Sequence, residues 1–204
     1  MKLYLPFKLD CQDQLKEYCY RYLEKNWNYK SEKIFRIDVN DPEIKILDEE
    51  LTKKGLPTAI TISIFARGPR NKQSIHIDTA GEGWTIWKTG IYIPLLGLKD
   101  SRLKWFSPEG GKLNKMTTLP HVNSTAEPTK RLTVSYEGKL PVLESVEFHD
   151  THIINTVVPH RAEASSDEPR AALTIRLKTN PDLISLFSPD GPNDTVGPVP
   201  TIDV

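Results

Sequence analysis

The segment that decides the fold is Asn155-Thr-Val-Val-Pro-His-Arg-Ala-Glu-Ala-Ser-Ser-Asp-Glu-Pro-Arg-Ala-Ala-Leu-Thr-Ile-Arg176. An apolar strand comes first, a histidine and a polar turn follow, and a second strand then opens with arginine. Alternate side chains of a strand share a face. One face of the last strand therefore carries Ala171, Leu173, Ile175 and Leu177, and the other carries Arg170, Ala172, Thr174 and Arg176. The second set is poor core material, so we expect it to line a polar cavity.

Short segments rich in β-branched residues, separated by Gly, Pro, Asn or Asp, precede this one along the chain. Such a pattern predicts a mainly β fold of the sandwich or jelly-roll type. The predicted strands cover 59–65, about 73–79, 89–96, 102–106, 131–136, 142–149, 152–158 and 170–178. The polar segment 107–129 has little strand signal, and we expect it to be a functional or mobile loop.

The first third of the chain is predicted to be helical. Asp10 is the expected N-cap of a helix that runs to about Asn26, because apolar residues recur there at helical spacing. Asp41, followed by proline, is the expected start of a second helix that Gly55 ends. We therefore expect N-terminal helices over about 10–55.

Length and composition fit one globular domain. The 204 residues suffice for one core, which predicts a single domain over 1–188, with a barrel at about 57–178 and a Pro-rich tail at 189–204. The zero net charge disfavours a nucleic-acid partner but leaves it open. The sequence also has no run of about 18 apolar residues that would indicate a membrane partner, and it does not specify an oligomeric state.

The two cysteines indicate a compartment. Cys11 and Cys19 lie in the first predicted helix, where eight residues span roughly 12 Å. That is too far for a disulfide. We expect reduced thiols and a cytoplasmic protein.

A candidate metal site begins at His76-Ile77-Asp78. On a strand the imidazole and the carboxylate point the same way, and together they supply two ligands of a facial triad of two histidines and one carboxylate. His160 is the candidate third ligand. The His-x-Asp pattern alone is weak, because taken in isolation it is better explained by a surface hydrogen-bonded pair.

Arg170 is a candidate anion-binding residue. A guanidinium binds a carboxylate through two parallel hydrogen bonds, so an arginine on a cavity wall near a metal suits a dicarboxylic acid. The alternative is a surface ion pair with Asp167 or Glu168 in the neighbouring turn.

Taken together, these residues resemble the Fe(II)/2-oxoglutarate-dependent dioxygenase superfamily. Its pattern is His-x-Asp/Glu, a distal histidine, and an arginine or lysine about ten residues beyond, which matches His76, Asp78, His160 and Arg170. The resemblance covers about residues 57–178. It implies a double-stranded β-helix, a jelly-roll or cupin-like barrel preceded by helices. It also implies Fe(II), 2-oxoglutarate and O₂ as cofactors and cosubstrates.

By that resemblance His76, Asp78 and His160 are the catalytic and iron-binding residues, and Arg170 holds the distal carboxylate of 2-oxoglutarate. The segment 170–176 is similar to the last strand of AlkB-type nucleic-acid demethylases, in which two arginines six apart serve the cosubstrate. Arg176 is therefore a further candidate for cosubstrate binding, and Thr174 is another because it shares a strand face with both arginines.

Four aromatic or polar residues complete the candidate site. Tyr92 lies on a strand that could face the cavity near the cosubstrate, although core packing explains it equally well. Trp84, Trp87 and Asn155 are candidates for substrate binding.

The interpretation favoured by the sequence is a hydroxylase acting on a small molecule or on an amino-acid side chain, in which case a peptide is a candidate substrate. Two alternatives stay open: a non-catalytic jelly-roll module that binds a metal or ligand, and zinc-dependent hydrolysis. Arg170 favours the oxygenase, because a hydrolase has no need of a carboxylate clamp beside its metal.

Overall fold

The structure is a computed structural model that describes residues 1–70, 73–80, 85–117, 132–164 and 167–187. Most of the described chain is antiparallel β-sheet, and the helices are few. The helices are α1 (Gln12–Asn26), α2 (Lys45–Lys53) and α3 (Leu183–Phe187). The strands are β1 (Tyr4–Pro6), β2 (Lys33–Ile37), β3 (Ala59–Arg67), β4 (His76–Ile77), β5 (Thr79–Ala80), β6 (Thr85–Ile86), β7 (Thr89–Leu96), β8 (Arg102–Phe106), β9 (Lys112–Thr117), β10 (Leu132–Glu137), β11 (Val142–Val146), β12 (His152–Asn155), β13 (His160–Glu163) and β14 (Arg170–Leu177).

Within the residues that the structure describes, two antiparallel sheets of six strands each form the body of the protein. The first has the order β1-β12-β7-β14-β3-β2, and the second has the order β11-β8-β13-β4-β10-β9. The short strands β5 and β6 form a separate hairpin directly after β4. The described strands thus form two separate sheets, and the sequence-based prediction of a mainly β fold is confirmed at this level.

The helices α1 and α2 cover one face of the first sheet. Leu15, Cys19 and Leu23 are the buried residues of α1, and they belong to one core cluster with Leu173 and Ile175 of β14. Burial of this apolar face is the main force that holds the helices on the sheet. Cys11 and Cys19 are both free thiols, buried within this part of the protein.

The other face of the first sheet packs against the second sheet. Tyr92 of β7 and Ala172 of β14 share a cluster with Leu103 and Trp105 of β8 and with Ala162 of β13. The strand β14 therefore separates two environments, with leucine and isoleucine toward the helices and the residues of opposite parity toward the second sheet. This is the alternation that the sequence of β14 predicts.

Both expected helix starts are wrong. The N-cap of α1 is Cys11, and its side chain makes no capping hydrogen bond. Glu50 of α2 accepts the backbone N–H groups of Asp10 and Cys11 instead, at 2.6 and 2.7 Å. This contact between α2 and the start of α1 takes the place of the local N-cap that the sequence predicts. Asp41 starts a turn, in which its side chain accepts the N–H of Glu43 at 2.9 Å, and α2 begins only at Lys45.

Several strands also differ from their predicted bounds. The predicted helical third contains β1 and β2, which pair with the edges of the first sheet. Residues 73–79 form only short strands because Asp78 leaves the ladder, and its N–H donates to Thr156 O at 3.2 Å. The segment predicted as the loop 107–129 contains β9, which pairs with β10, while residues 118–129 lie outside the described residues.

Within the described part of the chain, no helix is long and apolar enough to cross a membrane. The predicted tail at 189–204 lies outside the described residues.

Candidate metal centre

The structure brings His76, Asp78 and His160 together at the second sheet. His160 opens β13 directly opposite His76 of β4 in the antiparallel register, and Asp78 follows β4. Asp78 Oδ1 lies 3.4 Å from His76 Nε2 and 3.8 Å from His160 Nε2. One ligand atom from each of the three residues lies within 4.8 Å of the others.

Backbone carbonyls fix how the two imidazoles face this cluster. His76 Nδ1 lies 2.8 Å from Ser74 O, and His160 Nδ1 lies 2.9 Å from Val158 O. A carbonyl only accepts a hydrogen bond, so each Nδ1 carries the proton and donates it. In the neutral form of each ring the Nε2 lone pair then points toward Asp78, which is the tautomer that metal binding requires.

Burial keeps His160 in its neutral form. Removal from solvent, with a smaller contribution from neighbouring His76, lowers the pKa of His160 to about 3. A metal ligand must be an unprotonated imidazole. His160 is therefore available as a ligand at neutral pH without first losing a proton.

The three donors fit a divalent first-row metal. Two imidazole nitrogens and one carboxylate oxygen form the facial set that non-haem iron(II) favours, and such a set leaves positions open for other ligands. Ligand atoms at about 2.1 Å from one metal and at right angles to each other lie about 3 Å apart. The observed separations of 3.4 and 3.8 Å approach that value.

Arg176 holds the second oxygen of the Asp78 carboxylate. Its Nη2 atom forms an ion pair with Asp78 Oδ2, which leaves Oδ1 toward the histidines. The Arg176 side chain passes over Gly90 on the adjacent strand β7, where any side chain would overlap its guanidinium. Its Nη1 atom is buried and has no hydrogen-bond partner among the residues that the structure describes. The structure thus joins Arg176 to the candidate metal ligand.

Arg170 lies at the opposite end of β14, in the space between the sheets. It is 4% exposed, it donates a hydrogen bond to the hydroxyl of Tyr92, and its guanidinium carbon lies 5.9 Å from the centre of that ring. Thr174 pairs with Tyr92 in the ladder and shares this wall. The alternative that Arg170 forms a surface ion pair with Asp167 is wrong, because Asp167 is exposed and pairs with Arg70.

Arg170 is therefore a buried cation. In the described ranges no carboxylate forms an ion pair with it. A buried charge of this kind is costly unless an anion or a polar group compensates it.

Arg67 is a site residue that sequence reasoning missed. It stands opposite Arg170 in the β3–β14 register, is 2% exposed, and pairs with Glu32 at 2.8 Å. Burial is the main cause that lowers its pKa. The signal was present in the sequence, because Arg67 has the same strand parity as Thr61 and Ser63, opposite the isoleucines of β3.

The candidate substrate residues have different surroundings. Trp87 is buried. Its backbone N–H donates to the backbone carbonyl of Asp78 at 3.0 Å, and this hydrogen bond anchors the β5–β6 hairpin beside the cluster. Asn155 is part of a turn, in which its side-chain oxygen accepts a hydrogen bond from the backbone N–H of Val157 at 3.1 Å. Its backbone carbonyl accepts the indole N–H of Trp105 at 2.9 Å. Trp84 lies outside the described residues.

Comparisons with known proteins give only distant similarities. No protein-family model matches the sequence, and no curated protein matches it either. Among solved structures, HygX from Streptomyces hygroscopicus, with nickel and 2-oxoglutarate bound, is similar at a TM-score of 0.43 and 11% identity, over 84% of this chain and 80% of HygX. SnoK, a non-haem α-ketoglutarate-dependent carbocyclase from nogalamycin biosynthesis, is similar at a TM-score of 0.40 and 14% identity, over 84% of this chain and 77% of SnoK. These TM-scores are too low to assign a function to the chain.

Proposed function

We propose that this protein is an Fe(II)- and 2-oxoglutarate-dependent oxygenase. The observation that carries the proposal is the cluster of two imidazoles and one carboxylate, with Asp78 Oδ1 at 3.4 and 3.8 Å from the two Nε2 atoms. In the proposal His76, Asp78 and His160 hold the iron. Bound iron would supply the oxygen chemistry, in which 2-oxoglutarate and O₂ give succinate and CO₂ while the substrate is oxidised.

Arg170 supports 2-oxoglutarate as the cosubstrate. A buried guanidinium on the wall between the sheets, without a carboxylate partner among the described residues, suits the distal carboxylate of a dicarboxylic acid. Tyr92 holds this guanidinium from the side. Thr174, on the same wall, is proposed as a second polar contact for the same carboxylate.

The placement of the site agrees with a double-stranded β-helix, which we propose as the fold. The two histidines belong to β4 and β13 of one sheet, and the arginines belong to β14 of the facing sheet. An aromatic cluster with Trp105 and Phe148 fills the space between the sheets next to Tyr92. This packing would exclude water from the end where Arg170 lies.

The proposed substrate is a small molecule or an amino-acid side chain. The support is the location of the site between two sheets, at a depth where both histidines and Arg170 are buried. Trp87, whose backbone is bonded to Asp78, is proposed as a wall of the substrate pocket.

Anaerobic reconstitution tests the function. Purified protein with Fe(II) and 2-oxoglutarate should develop the visible metal-to-ligand charge-transfer band, and the His160→Ala variant should not. His149→Ala is the matched control, because His149 is an exposed histidine that contacts Glu147 and is not one of the three clustered residues. Absence of the band from the parent protein would contradict the proposal. Where the band forms, succinate release upon addition of O₂ is the readout for substrate screening.

A further inference from the structure

Gln73 connects the two strands that carry the histidines. Its backbone N–H donates to Ala162 O at 3.1 Å, and its side-chain Oε1 accepts the N–H of Ala162 at 3.4 Å. Its Nε2 atom lies 3.0 Å from Nε2 of His76. Gln73 thus contacts β13 two residues after His160 and the ring of His76 at the same time.

The donors and acceptors in this group are consistent with one arrangement. Because Oε1 accepts from Ala162, the amide NH₂ group is the part that faces His76. An NH₂ group only donates, so Nε2 of His76, at 3.0 Å, is the acceptor and the unprotonated nitrogen, and Nδ1 carries the proton that it donates to Ser74 O. The amide of Gln73 therefore donates a hydrogen bond to the lone pair of His76 that faces the cluster.

We propose that Gln73 is a positioning residue that competes with the metal for His76. A metal bound to Nε2 needs the lone pair that the Gln73 amide occupies, so the amide must leave when the metal binds. The same hydrogen bond holds the ring with its lone pair toward Asp78. Gln73 thus lowers metal affinity while it keeps the site assembled, and metal binding frees a polar amide beside the cluster. This inference rests on the proposed function, because it requires a metal at this site.

The expected effect is modest and has a definite direction. One neutral hydrogen bond contributes on the order of 1 kcal/mol net, which corresponds to about fivefold in a dissociation constant. Removing the donor should therefore tighten metal binding about fivefold. A residue with a merely structural role would leave metal affinity unchanged, or would weaken it by disordering the site.

The test is a metal titration of the full chain. Gln73→Met keeps the length of the side chain but lacks the amide, and the readout is the Co(II) dissociation constant from visible absorption under anaerobic conditions. Gln14→Met is the matched control, because Gln14 is exposed on α1. A second readout needs no metal: the ¹⁵N signal of Nε2 in His76 should shift in Gln73→Met, while that of His160 should stay in place.

Each outcome decides a different claim. Tighter Co(II) binding together with a shifted His76 signal supports the competition. Equal or weaker binding in Gln73→Met overturns it, as does an unchanged His76 signal, and both leave the proposed oxygenase intact. Failure of the parent protein to bind Co(II) or Fe(II) at all overturns the proposed function together with this inference.

Discussion

The guanidinium of Arg176 lies directly over Gly90, in the space that a side chain on β7 would fill. From there its Nη2 atom reaches Oδ2 of Asp78. Because residue 90 has no side chain, the Arg176 guanidinium has room to reach the carboxylate of Asp78, the candidate metal ligand. In this arrangement a glycine in the middle of a strand, which normally weakens the strand, permits a contact at the site.

Gly90→Ala should weaken metal binding without removing any ligand. The added methyl group displaces the guanidinium, and Asp78 loses the contact that orients its carboxylate. Loss of such outer contacts typically lowers metal affinity by about tenfold or more, which Co(II) titration would measure. Gly111→Ala is the control, because the three atoms nearest to its methyl group would all belong to the flexible side chain of Leu140 and not to the site. An unchanged dissociation constant in Gly90→Ala would show that the contact with Arg176 is unimportant for the metal.

Asp78→Asn should destabilise the protein when chelator keeps metals away. The substitution leaves the buried Arg176 guanidinium without its compensating charge, and breaking a buried ion pair on one side costs about 3–5 kcal/mol. Urea unfolding with EDTA measures the loss of unfolding free energy. The double variant Asp78→Asn/Arg176→Met should recover part of the loss. Asp167→Asn is the control, since that residue belongs to an exposed ion pair with Arg70. Additive effects of the two site substitutions would refute the pairing.

Arg170→Ala should abolish tight binding of 2-oxoglutarate while metal affinity stays near that of the parent. Losing a buried charged hydrogen-bonding partner typically costs about 2–5 kcal/mol of binding, or roughly 30-fold and upward. Isothermal titration of the Co(II)-loaded protein gives the dissociation constant. Arg170→Lys should be milder, because it keeps the charge and loses the two-pronged geometry. Arg70→Ala serves as the control, because Arg70 is exposed. Normal 2-oxoglutarate binding by Arg170→Ala would remove the main support for the cosubstrate.

Strand alternation is the part of the site that the sequence predicts well. The two faces of β14 follow from a period of two, and the structure has them. His76 and Asp78 also lie together, at 3.4 Å, but Asp78 follows β4 and is not part of the strand. The sequence could not predict that Arg176 would reach Asp78. That contact depends on the neighbouring strand β7 and on a glycine that the sequence marks only as a weak strand former.

The errors of prediction in the fold also have a tertiary cause. The strands β1 and β2 are edge strands of the first sheet. The partner of β1 is β12, near the other end of the chain, and β2 pairs with β3 across the intervening helix α2, so both strands depend on contacts beyond their own segment. The start of α1 is likewise fixed by a residue that is distant in the sequence. Asp10 has the residue type of an N-cap, but the carboxylate of Glu50, 40 residues later, takes the backbone N–H groups there.

Glu50 should therefore make stability depend on pH. Its side chain is 9% exposed and accepts two backbone N–H groups at 2.6 and 2.7 Å, with Lys54 Nζ at 3.6 Å. Burial by itself raises the pKa of Glu50, but the hydrogen bonds from Cys11 and Asp10 and the charge of Lys54 outweigh it and lower the pKa below 4.5. A carboxyl group with a lowered folded pKa contributes stability above its unfolded pKa and loses it as pH falls through the folded value.

Glu50→Gln should thus lower the free energy of unfolding at pH 7 by about 1.5–3 kcal/mol, the usual contribution of hydrogen bonds to a charged group. The difference from the parent should shrink as the pH falls from about 4.5 through the lower folded pKa, because Glu50 becomes protonated first in the unfolded parent and then in the folded one. Urea unfolding at pH 7 and at several pH values from about 5 down to about 3 measures both effects. Glu49→Gln is the matched control, because Glu49 is the exposed neighbour on the same helix and should change stability little at any of these pH values. A Glu50→Gln deficit that is constant with pH would show that the charge of Glu50 is not what holds the start of α1.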